Sequence, residues 1–155
     1  MRLAPLRVVV EPNVLVSAFI SAHGLPFAIR TAWLKGAFEM IVSPHLLAEL
    51  EAVLVREKFR RYRPLEDVAA YLALFEKATL VDDPVARRVV PLDSADDYIM
   101  ALGQVAGADY VVSGDSHLTL LTDAHPPVLR PRTFFELLIT RGLVSAGPKP
   151  AESQD

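Results

Sequence analysis

The sequence predicts an α/β domain built on a mainly parallel central sheet, and three observations carry that prediction. Short β-branched runs alternate with helical stretches, as in successive strand–helix–strand units. The first run, Val8-Val9-Val10, is apolar without alternation, which suits a strand covered on both faces. Hydrophobic residues make up 52% of the 155, enough for one sizeable core.

The first strand, Arg7–Val10, stops abruptly at Glu11, Pro12 and Asn13. A buried parallel strand delivers its last residues to the carboxyl edge of the sheet, where open α/β sheets place ligands. A helix is expected to begin near Asn13 and a second near Pro26, because proline suits a first helical turn. Phe38–Val42 forms the second strand. Ser43-Pro44 then opens a long helix, with Ser as cap and Pro at the first helical position. Leu46, Leu47, Leu50, Val53 and Leu54 recur along it at helical spacing. Pro64 opens another helix through Lys77, with Val68, Tyr71, Leu72 and Phe75 inward. The remaining strands are Ala78–Val81, Asp109–Ser113 and Val128–Leu129. A helix capped by Asp93 or Ser94 runs to about Ala106, and a last one covers Pro131–Thr140. Residues 1–141 make one domain, and 142–155, with little to bury, a flexible tail.

The chain has no Cys, which excludes disulfides and thiolate metal sites and fits a reducing compartment. Its first residues fit neither a signal peptide nor a membrane span, so a cytoplasmic protein without membrane attachment is expected. The net charge of −3 provides no global basic field for nucleic acid. Charge is uneven, however. Arg56, Lys58, Arg60, Arg61 and Arg63 crowd one segment, and taken alone a solvated helix end accounts for them somewhat better than a dedicated phosphate-binding patch.

Acids from four segments could converge. Glu11 ends strand one. Glu49 and Glu51 flank the leucine stripe of the long helix, and spacing alone does not choose between them. Asp93, Asp96 and Asp97 stand at a helix start, where capping accounts for one acid but not three; Asp96 tilts toward the buried side. Asp115 follows Ser113-Gly114 at a strand-to-helix turn, where it serves equally as helix cap or ligand. Clustered carboxylates repel and raise each other's pKa unless a cation sits among them. An all-oxygen set with no Cys and no close-spaced His pair selects a hard ion, Mg²⁺ or Mn²⁺. Such ions suit phosphodiester hydrolysis.

These motifs resemble, in order, those of PIN-domain ribonucleases, specifically the toxin branch of toxin–antitoxin pairs. Val8–Ala18 is similar to the opening motif, and Ser43-Pro44-His45-Leu46-Leu47-Ala48-Glu49-Leu50 to the helix with the second acid. Asp93–Leu102 resembles the third-acid segment, and Gly107–Asp115 the fourth-acid strand. Pro131–Leu138 resembles the closing segment. The resemblance implies a three-layer α/β/α sandwich and a Mg²⁺- or Mn²⁺-dependent endoribonuclease. Its catalytic acids would be Glu11, Glu49, Asp96 and Asp115, with Asp97 beside Asp96 at the metal. Asn13 and Ser113 would support the first acid and the metal, and Arg56, Lys58, Arg60 and Arg61 would guide RNA. An antitoxin and a second copy of the chain are the implied protein partners. The chain departs from the family in three places: Glu11 stands for the usual Asp, Pro12 for a hydroxyl residue, and His117 where a further Asp is common. A degenerate PIN domain that binds RNA or a protein without cleaving is the alternative these departures raise.

Overall fold

The computed structural model describes residues 4–84, 94–120 and 123–145, and of residues 94–97 the backbone alone. Five parallel strands, β1 (Arg7–Val10), β2 (Glu39–Val42), β3 (Thr79–Leu80), β4 (Tyr110–Val112) and β5 (Val128–Leu129), lie in the order β3-β2-β1-β4-β5. The described helices are α1 (Pro12–Ile20), α2 (Leu25–Leu34), α3 (Pro44–Leu54), α4 (Glu66–Ala73), α5 (Ser94–Val105), α6 (Ser116–Thr119) and α7 (Pro131–Thr140).

Parallel neighbours need crossovers, and their right-handed sense puts α1 to α4 on one face of the sheet and α5 on the other. Packing follows that division: α1 contacts α2 and α3, α3 contacts α4, and α5 lies against β1 and β4. The result is the expected α/β sandwich. Its core is continuous, with Val8, Val9, Val10, Met40, Ile41, Val42, Val111 and Val112 at most 1% exposed.

The sequence expectations hold to the residue for β1, β5 and α7, and for the start of α3. The Ser43 hydroxyl accepts the Leu46 N–H, which completes the cap expected of α3. Leu46, Leu50 and Leu54 are fully buried, while Leu47 and Val53 are half-buried. α1 begins at Pro12, one residue earlier than expected, because a proline at the first helical position lacks an N–H the helix could not use. The helix expected from Pro64 to Lys77 is split. Pro64 and Leu65 form a turn, α4 starts at Glu66, and a 3₁₀ turn covers Leu74–Lys77.

Two features lock the helices down. Phe19, Tyr71, Phe75 and Trp33 form a chain of ring contacts with centroids 4.9, 5.4 and 5.2 Å apart. Within it the buried Tyr71 hydroxyl donates to the Leu15 carbonyl at 2.6 Å, tying α4 to α1. On the other face, a Cβ on Gly103 would stand 2.9 Å from Pro126 Cγ and 3.1 Å from Val111 Cγ2. Glycine therefore lets α5 lie close on β4. No single helix among the described residues is long and apolar enough to cross a membrane.

Candidate metal-binding acidic site

Chain order reverses across the sheet between β1 and β4, which makes their carboxyl ends the topological switch point where ligands bind in open α/β sheets. The register pairs Val10 with Val112. One residue further on, the same register brings Glu11 beside Ser113. The Glu11 N–H still bonds to the Val112 carbonyl at 2.9 Å, so the strand geometry persists to the acid itself.

Glu11 stands at the α1 N-terminus in an extended conformation, φ −59° and ψ 141°, as a residue before proline prefers. Its side chain does not cap the helix. Oε2 accepts the Ser113 hydroxyl, and Oε1 accepts Asn13 Nδ2 at 3.2 Å. The Ser113 hydroxyl in turn accepts the Asp115 N–H at 2.9 Å, which commits its own proton to Glu11. Asn13 and Ser113 thus support the first acid.

Glu11 is only 7% exposed. Burial pushes its carboxyl above the ordinary glutamate range; Asp115 and Glu49 push it further, while the bonds from Ser113 and Asn13 pull it back. Glu49 is half-buried and near enough to act on Glu11, whereas Glu51 faces solvent. Asp115 takes the first of the two roles foreseen for it, that of helix cap. Its Oδ1 caps α6 by accepting the His117 N–H at 2.8 Å, and the residue also lines the cavity beside Glu11. His117 is exposed and turns back on Asp115, with Nδ1 3.5 Å from Oδ1.

The cavity is open, about 410 Å³ in volume, and lined by Glu11, Asn13, Ser17, Gly114 and Asp115, among others. Among the described residues, no three His, Asp or Glu side chains lie close enough together to hold a metal ion. Asp93 and the side chains of Asp96 and Asp97 lie outside the described residues. What the described residues provide is an all-oxygen donor set around a buried carboxylate whose ionisation is opposed by its neighbours. A divalent cation would relieve that opposition, and oxygen donors suit a hard one.

The basic segment divides. Arg56, Lys58 and Arg61 are exposed, with no carboxylate partner among the described residues; Lys58 lies over Phe59 and Arg61 over Tyr62. Arg60 instead turns inward onto the Leu54 carbonyl at the end of α3, and its Nε and Nη1 are buried without a partner. Arg63 pairs with Asp67 at 3.0 Å and bonds to the Phe19 carbonyl at 3.4 Å, so its role is to join loop to α1.

Sequence reasoning saw Ser43 only as a cap and passed over Tyr98. The Tyr98 hydroxyl bonds to the Ser43 hydroxyl and donates to Asp83 Oδ1 at 2.6 Å. Its bond to Tyr98 holds the Asp83 carboxyl below the usual range, while burial pushes the Tyr98 hydroxyl up to about 12. No spacing rule marks such a cluster, since its members come from three separate segments.

A family model described as PIN domain matches residues 7–117, most of the chain, though not the closing helix α7. The uncharacterised protein MJ1680 of Methanocaldococcus jannaschii is 25% identical over 141 residues, covering 84% of this chain and 90% of that one. The crystal structure of PAE2754 from Pyrobaculum aerophilum superposes with a TM-score of 0.61 at 15% identity, covering 88% of this chain and 96% of that one, a likeness of fold.

Proposed function

Because the chain belongs to the PIN domain family, whose members are generally nucleases that use divalent metals, we propose that it is a Mg²⁺- or Mn²⁺-dependent endoribonuclease. One observation carries this reading. A buried glutamate stands at the switch point of the sheet, hydrogen-bonded into place while two further carboxylates oppose its charge. Such an arrangement is costly for folding alone and useful for holding a cation.

Glu11, Glu49 and Asp115, with Asp96 and Asp97 from α5, would hold the ion. When bound, it supplies Lewis acidity for phosphodiester hydrolysis and offsets charge on the phosphate. The chain's own groups prepare the site. Ser113 and Asn13 fix both Glu11 oxygens, the Asp115 bond to His117 fixes that carboxylate, and Arg56, Lys58 and Arg61 attract the RNA backbone. In the finer reading, the protein is the toxin of a toxin–antitoxin pair, acting as a homodimer in the cytoplasm and restrained by its antitoxin. The ordered acidic motifs support that reading, and a neighbouring gene for a small DNA-binding protein would test it.

The test of the nuclease reading is cleavage of a fluorescent unstructured RNA in Mn²⁺. Wild-type protein should cut, Glu51→Gln should match it, and Glu11→Gln should lose about a hundredfold or more. Absence of cutting by wild type would instead favour a binding-only PIN domain. The engagement of both Glu11 oxygens by Asn13 and Ser113 is the observation on that side.

A further inference from the structure

The carboxyl rim of the sheet extends beyond the Glu11–Ser113 pair. The β1–β2 register pairs Val8 with Met40. Glu11 and Ser43 are the first residues beyond β1 and β2, so Ser43 stands on the same carboxyl rim as Glu11 and Ser113. Whereas Ser113 bonds to Glu11, Ser43 bonds away from it, to Tyr98.

Tyr98 joins three segments. It belongs to α5, two residues after Asp96 and one after Asp97, and is 8% exposed. Its hydroxyl meets Ser43, the cap of α3, the helix that carries Glu49. It also donates to Asp83 Oδ1, on the chain leaving β3. Asp83 Oδ1 accepts the His45 N–H at 3.0 Å, and the His45 ring meets the Tyr98 ring edge-on with centroids 4.4 Å apart. The starts of two acid-bearing helices and the end of a strand are thereby fastened at one phenolic oxygen.

We propose that Tyr98 is a positioning residue: its hydroxyl, bonded to Ser43 and Asp83, fixes the start of α3 against α5 and so sets where α3 presents Glu49 to the Glu11 site. This rests on the metal-dependent reading of that site. Outer partners that orient ligands typically change metal affinity by 10–100-fold when removed, although they touch no metal.

Mn²⁺ affinity of the full chain, followed by electron paramagnetic resonance, tests the proposal. Tyr98→Phe removes the hydroxyl and keeps the ring. It should weaken Mn²⁺ binding about 10-fold or more, with circular dichroism unchanged. Asp83→Ala should weaken it by no more than Tyr98→Phe does, and the double variant should be no worse than Tyr98→Phe, which already removes the bond to Asp83. A purely structural role would lower thermal stability and leave the affinity of the folded fraction unchanged. Wild-type binding with Tyr98→Phe within twofold of it, or additive losses in the double variant, would overturn the proposal alone. A wild type that binds no Mn²⁺ would overturn the metal-dependent reading and the proposal with it. Should Tyr98→Phe fail to fold, Asp83→Ala carries the same comparison from an exposed position.

Discussion

The Ser113 hydroxyl donates to Glu11 Oε2 across the seam between β4 and β1, linking residues that lie 102 positions apart. The bond follows from strand register, since each residue is the first beyond its strand. It holds a longer carboxylate than the family's usual Asp and favours the ionised form that a metal requires. Ser113→Ala should therefore lower Mn²⁺-dependent cleavage by about 10–100-fold, and Ser113→Thr should restore much of it. A steady-state assay with the three proteins checks both.

Glu11 also makes stability depend on pH. Its folded pKa is raised by burial and by Asp115 and Glu49, so ionising it opposes the folded state. The stability it contributes is present below the unfolded glutamate pKa and is lost as pH rises through the folded one. Metal-free Glu11→Gln should accordingly melt at a higher temperature than wild type at neutral pH, with the difference shrinking in acid. Mn²⁺ should reverse the order at neutral pH, because it stabilises only the protein that binds it. Thermal melts at two pH values, with and without Mn²⁺, read all four conditions.

Arg56, Lys58 and Arg61 are exposed and unpaired by carboxylates among the described residues, whereas Arg60 is occupied at the end of α3. Replacing the first three with Ala should weaken RNA binding across sequences. The slope of log K against log salt should flatten by about 0.7 for each lost phosphate contact. Arg60→Ala should instead lower thermal stability, and a salt titration of RNA affinity separates the two effects.

Gly103 permits the close approach of α5 to β4 and the Pro126 loop. Gly103→Ala would normally favour a helix, yet here the added methyl collides with a buried ring and a strand side chain. Destabilisation of about 1–3 kcal/mol is expected from overpacking, measurable by urea unfolding.

Much of this architecture was legible in the sequence because its signals are local. Ser43-Pro44 and Arg130-Pro131 mark helix starts by their own chemistry, and Val8-Val9-Val10 marks a doubly covered strand. The Pro64 helix start was missed because Pro64 and Leu65 use their carbonyls in a turn that sequence pattern does not separate from a helix. At the site, Glu11 and Asp115 were visible as strand-end acids. Glu49 and Glu51 were not distinguishable by helical spacing; in the folded chain Glu49 is half-buried and Glu51 exposed. Tyr98 was invisible because its partners, Ser43 and Asp83, come from elements that the sheet order alone makes neighbours.

The carboxylates around Glu11 would form a cation site rather than a network of structural hydrogen bonds. Calorimetric titration of Mn²⁺ into metal-free protein, with Glu11→Gln in parallel, distinguishes the two. Wild type should show a saturable site that Glu11→Gln abolishes or weakens severely. No saturable heat in wild type, or an equal site in both proteins, would contradict it.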